Sequence, residues 1–276
     1  MRTKPVLFRY RLYLLSVGGL ALLTTLLRTL ALCLNFDANI GYFTAGGALP
    51  RLTHIAELVT LAVCCTLPLL VYQKELPEQR APLSLAGQIN AGIAALLFLL
   101  TAGYLFINSA TIPAPSVLVI LASLALLAGA AYFILPLLGK EQAATPFAYG
   151  AILAAVLVLS ITYFDRYTQM NAPHKLSLHL SMLSIMLFLL YELRAAIGRP
   201  MPRALALTAA LCFFTCATYG TSNLIAFALG IYADPLYLMG DLLSMGFAAY
   251  VASRALSDLS LLSPASTATE SEEPTV

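Results

Sequence analysis

Six polar side chains sit inside stretches that are otherwise almost wholly apolar: Arg28, His54, Glu57, His179, Asn223 and Asp241. Their chemistry is specific. Arg28 offers a forked cation that suits an anionic group. Glu57 and Asp241 are carboxylates whose charge depends on what surrounds them. His54 precedes Glu57 by three residues, so a helix puts both on one face. An ionised side chain at the centre of a bilayer costs about 2.5–3.5 kcal/mol on insertion scales, so each such group needs a partner, a wet cavity or a proton. Arg28 lies six residues before Leu34, ~9 Å along a helix axis, and its long stem can snorkel much of that distance. The carboxylates of Glu57 and Asp241 lie five residues inside their stretches and are too short to reach out. The reading is therefore one polar vestibule at one end of a bundle, with Arg28 paired to Asp241 and with Glu57, His54, His179 and Asn223 around it.

The elements that must hold these groups are set by composition. Of 276 residues 60% are hydrophobic and 10% charged, whereas a soluble domain carries about 25% charged residues. Stretches of roughly 20 apolar residues suffice to cross a bilayer. They occur at 12–34, 52–72, 83–107, 116–138, 146–164, 176–196, 203–230 and 236–256. The runs are continuous rather than alternating and are rich in Leu and Ala, which predicts helices and not barrel strands. The fold class is all-α: a polytopic transmembrane bundle of about eight spans, forming one domain over 1–256. The Ser-, Thr-, Glu- and Pro-rich segment 257–276 reads as a disordered cytoplasmic tail.

Basic residues give the orientation. Arg2, Lys4, Arg9, Arg11, Lys74, Arg80, Lys140, Arg194, Arg199, Arg203 and Arg254 fall on one side. Arg51, Arg166 and Lys175 fall on the other. Eleven against three puts both termini in the cytoplasm, most simply in a multi-pass protein of a bacterial plasma membrane. The basic, then apolar, N-terminus reads as an uncleaved first helix. With no Trp in the chain, Tyr10, Tyr13, Tyr163, Tyr167, Tyr232 and Tyr237 are read as part of the interfacial belts.

Spacing also suggests that four helices occur twice. Tyr72 and Tyr191 lie 119 apart, as do Arg80 and Arg199. Pro115 and Pro235 lie 120 apart, and Ala130-Ala131-Tyr132 recurs 118 later as Ala248-Ala249-Tyr250. The halves would be 1–138 and 146–256, a 4+4 parallel repeat about an axis along the membrane normal. Phe36-Asp37 and Phe164-Asp165 are 128 apart, so the first external link carries a surplus, matching the segment from Gly41 to Gly47. Gly220 within Thr218–Asn223 and Gly103 after Thr101 mark matched places where helices seven and three could be interrupted.

These observations favour a transporter of a small solute or ion. The alternative is a non-catalytic sensor, assembly factor or partner subunit that meets another membrane protein. Last comes an enzyme acting on a lipid-linked substrate with His54 and Glu57 as acid and base. No phosphate-binding glycine loop, nucleophile elbow or zinc-protease motif is present. No cofactor or metal is expected, and the expected partners are the lipid bilayer and a small solute, not nucleic acid.

Overall fold

A computed structural model describes residues 3–37, 40–44, 46–71 and 81–261. Eight helices follow one another: α1 (Thr3–Asn35), α2 (Ala48–Val71), α3 (Leu85–Ile107), α4 (Ser116–Leu137), α5 (Glu141–Phe164), α6 (Pro173–Ala196), α7 (Pro202–Ala228) and α8 (Pro235–Leu261). Among the described residues all eight are long and apolar enough to span a membrane, so the chain is an all-α bundle of the multi-pass membrane type. Local signals set the ends. Ser84 accepts from the Gly87 amide at 3.2 Å and caps α3. Pro173 and Pro202 occupy the first turns of α6 and α7, where a missing N–H costs nothing. Gly198 (φ 76°) and Gly230 (φ 72°) terminate α6 and α7 in the left-handed region, and the Gly230 and Ile231 amides close back on Phe227 and Ala226.

The surplus in the α1–α2 link forms a small hairpin of β1 (Phe36–Asp37) and β2 (Tyr42–Phe43), antiparallel with Phe36 opposite Phe43. Two expectations are corrected. Residues 257–261 do not begin a disordered tail; they continue α8. The Ser257 hydroxyl bonds Ser84 and the Ser253 carbonyl, and Asp258 accepts from the Ala81 amide at 3.4 Å, which ties this last turn to the start of α3. Residues 262–276, and Tyr72, Lys74 and Arg80, lie outside the described residues. The interruptions read into helices three and seven are absent, since α3 and α7 are continuous through Gly103 and Gly220. Thr101 and Ser222 bond back to carbonyls four residues earlier, and a Cβ on Gly220 would lie 3.2 Å from the Asp241 carbonyl. Gly220 serves the approach of α7 to α8.

The helices α3, α4, α5, α6 and α8 close into a ring, with α7 lying across α6 and α8, and the α1–α2 pair packed on α7. The core sits inside the ring. Phe98, Phe133 and Phe247 have centroids 5.4–5.7 Å apart, and Tyr250 stands 5.0 Å from Phe133. A second cluster joins Tyr10, Tyr13 and Val17 of α1 to Cys64 of α2 and Phe214 of α7. Tyr10 and Tyr13 are therefore protein-facing rather than interfacial, as is Tyr237, because each is buried against neighbouring helices. The proposed halves pack differently: α6 lies against α7, while α2 is held by α1 and α7.

Helices α4 and α5 approach closely at small residues. A Cβ on Gly150 would strike the Ala128 side chain, while Gly103 has open space around its Cα. Gly150→Val should destabilise the protein by about 1–3 kcal/mol, and Gly103→Val should be close to neutral. Thermal unfolding of the two variants in the same detergent checks the pair. Equal effects would contradict this packing.

Candidate functional site

The polar groups gather where α1, α5 and α7 end and α2, α6 and α8 begin, the end of the bundle away from the described termini. Arg28 is 4% exposed and does not snorkel. Its Nη1 donates to Glu57 Oε1 at 3.0 Å, its Nε to Ser222 Oγ at 3.1 Å and its Nη2 to the Pro173 carbonyl at 3.4 Å. The guanidinium carbon lies 4.6 Å above the Tyr219 ring. The expected Arg28–Asp241 pair is thus corrected: Glu57 is the partner. The reason is topological. The hairpin between α1 and α2 returns the chain directly, so Arg28 and Glu57 meet at one depth, and α7 stands between them and α8. His54 Nδ1 lies 3.2 Å from Glu57 Oε2, with its side chain 60% exposed, so it sits at the rim.

Asp241 belongs to a second cluster. Asn223 Nδ2 donates to Asp241 Oδ1 at 3.1 Å and to Ser177 Oγ at 3.0 Å. Successive residues on a helix point about 100° apart, so Ser222 serves Arg28 while Asn223 serves Asp241. Beside this cluster is a cavity of about 280 Å³, lined in part by Asn223, Asp241, His174, Tyr232, Asp234 and Phe36. Three buried polar atoms of its lining have no hydrogen-bond partner among the described residues: Asn223 Oδ1, His174 Nδ1 and the Tyr232 hydroxyl. An unmet polar group inside a protein costs about 1–3 kcal/mol. Around one cavity, all three can be satisfied by water or by another polar molecule.

The α5–α6 link forms one side of this cavity. The Tyr237 hydroxyl donates to Asp165 Oδ2 at 2.9 Å, and the Tyr167 amide to Oδ1 at 2.9 Å. Burial pushes the Asp165 carboxyl up. The Thr168 hydroxyl, the Tyr167 amide, the Tyr237 hydroxyl and the Lys175 charge outweigh that and hold it below the usual carboxylate range. Lys175 is fully buried, and its ammonium donates to the Asp165 and Thr168 carbonyls at 2.8 and 3.2 Å. In the α7–α8 link, Asp234 is shifted up by burial and by the charge of Asp165, against the pull of the Leu236 amide.

Of the six residues singled out in the sequence, Arg28, Glu57 and His54 form one group and Asn223 and Asp241 the other. The groups adjoin where the Pro173 carbonyl accepts from Arg28 and His174 lines the cavity. His179 joins neither: its Nε2 shares a 3.0 Å hydrogen bond with Thr162 Oγ1 of α5. The sequence reading missed His174, Asp234 and the role of Tyr232, all in segments taken as links.

It also missed Glu192, near the opposite end. Glu192 is 5% exposed. It accepts from the Tyr132 hydroxyl at 3.0 Å and the Tyr250 hydroxyl at 3.2 Å, and its Oε1 lies 3.3 Å from Arg254 Nε. A larger cavity of about 540 Å³ opens there, with all four side chains in its lining. The two tyrosines are those of the repeated Ala-Ala-Tyr, which the sequence reading took only as a sign of duplication.

Among the described residues no group of three or more His, Cys, Asp and Glu side chains is placed to hold a metal ion. Cys212 and Cys216 lie 3.9 Å apart in the apolar core. Comparison of the chain with protein-family models, curated proteins and solved structures gives no match.

Proposed function

We propose that this protein transports a small solute, bound in the cavity between Asn223, Asp241 and His174. The observation that carries the reading is the unmet Asn223 Oδ1, on a side chain 1% exposed, in a cavity that also holds Asp241. A second support is the arrangement of α6 and α8. Each lines this cavity near its start, through His174 and Asp241, and the Glu192 cavity further along, through Glu192 and through Tyr250 and Arg254. Phe188 and Phe247 pack between, so an aromatic septum separates two polar pockets on one pair of helices. Alternating access would require this septum to open between the two pockets. With the termini cytoplasmic, as the basic residues favour, the smaller cavity faces outward across a plasma membrane. The Arg28–Glu57 pair neutralises itself and frames the site, leaving Asp241 as the carboxylate that couples to protons.

The test is proton flux in liposomes carrying the full chain and an internal pH dye, challenged with amines, carboxylic acids and polyols. At least one class should drive flux above protein-free vesicles, and a folded Asp241→Asn variant should lose it. Flux absent with all three classes overturns the transport reading; normal flux in Asp241→Asn removes that carboxylate from the mechanism. A second reading, a non-catalytic subunit of a membrane assembly, draws on the mutual satisfaction of Arg28 and Glu57. It requires another membrane protein to copurify in mild detergent.

A further inference from the structure

We infer that the cavity beside Asp241 selects a small organic ammonium ion. This deepens the proposed site and rests on that site being the place of binding. The first argument is charge. Two carboxylates, Asp241 and Asp234, line the cavity and, among the described residues, no lysine or arginine does. The nearest cations are already engaged: Arg28 by Glu57 at 3.0 Å, and Lys175 by the carbonyls of Asp165 and Thr168. An anion would meet two carboxyl groups and no free positive partner, whereas a cation would favour their ionised form.

The second argument is hydrogen bonding. Asn223 spends its amide N–H groups on Ser177 and Asp241, so what it presents unmet is an acceptor, Oδ1. Asp241 has one oxygen bonded by Asn223 and the other without a partner among the described residues. A carboxylate oxygen and an amide oxygen ask for a donor with more than one N–H, which a primary ammonium supplies.

The third is the wall. Phe36, Tyr232, His174 and Tyr237 form a continuous run of rings, with successive centroids at 5.4, 4.6 and 4.6 Å. All four line the cavity. A Phe or Tyr ring attracts a cation placed over its face, by about 0.5–2 kcal/mol depending on desolvation, and such rings accept the short alkyl part of an organic amine. A bare metal ion would make poor use of them. The volume of about 280 Å³ is at the lower edge of ligand pockets and suits an amine of a few heavy atoms.

The test is the melting temperature of the purified full chain in detergent with ethylammonium chloride, sodium chloride or sodium acetate at equal ionic strength. A ligand that binds only the folded state raises the melting point as its concentration passes Kd. Ethylammonium should raise it by several degrees and the two sodium salts should not. Tyr232→Leu, in a link outside the helices, should weaken the ethylammonium effect by about two- to thirtyfold in apparent Kd, and Asp241→Asn should abolish it. If Asp241→Asn does not fold, Tyr232→Leu decides alone. A sodium salt matching ethylammonium, or an unchanged Kd in Tyr232→Leu, overturns the inference. Ethylammonium binding without solute-driven flux would sink transport and leave this inference standing. Flux with a carboxylic acid or polyol and no ethylammonium binding would do the opposite.

Discussion

Glu57→Leu should cost the folded protein about 3–5 kcal/mol, and adding Arg28→Met should return most of that loss. Removing one partner of a buried ion pair strands the other, whereas replacing both with apolar residues of similar size is often neutral or stabilising. Arg28 keeps Ser222, the Pro173 carbonyl and the Tyr219 face in the single variant, but none of these carries a negative charge. In the double variant little polar debt remains. Ser222 still bonds the Thr218 carbonyl at 2.8 Å, and the His54 side chain is largely exposed. Equilibrium unfolding in mixed micelles of the wild type, both single variants and the double variant gives the coupling energy directly. Additive losses would mean that the pair is not the unit described.

The Glu192 cluster should behave differently. Glu192→Leu is again expected to lose about 3–5 kcal/mol, but Glu192→Leu with Arg254→Met should recover only part of it. Here the carboxylate is bonded by two tyrosine hydroxyls as well as by the arginine. The arginine also holds the Ala81 carbonyl at 3.0 Å, at the entry to α3. Taking away both charges still removes the acceptor shared by Tyr132 and Tyr250, and a lost buried hydrogen bond costs about 1–3 kcal/mol. Glu192→Gln keeps an acceptor for the hydroxyls and should fall between wild type and Glu192→Leu. The same unfolding measurement decides: full recovery in the double variant would mean that the tyrosines contribute nothing, and that α4, α6 and α8 are joined here by charge alone.

Hydropathy located every helix because insertion into lipid depends on local composition, which a sequence displays. It placed several ends too far inward. A hydropathy window stops at the first polar residues, yet a helix continues while its amides find carbonyls, as at Glu141–Pro146 and Ser257–Leu261. For the same reason His174 was read as part of a link, although α6 begins one residue before it. Which helices touch is not a compositional property. Arg28 and Asp241 were matched because both are charged and at similar depth, and nothing in the sequence says that α7 separates them. Asn223 and Asp241 were both legible as buried polar groups, and they do meet. His179 satisfied the same criteria and faces α5 instead, since depth does not reveal azimuth. Glu192 was hidden by its place near a helix end among arginines.

The adjacent residues Ser222 and Asn223 carry a mechanical consequence. They grip different neighbours at two angles around the same axis, one toward α1 and the other toward α6 and α8. A shaft pinned at two bearings cannot spin to loosen one without straining the other. Any opening at this end must then either release one of the two grips or carry α1, α6 and α8 along with α7.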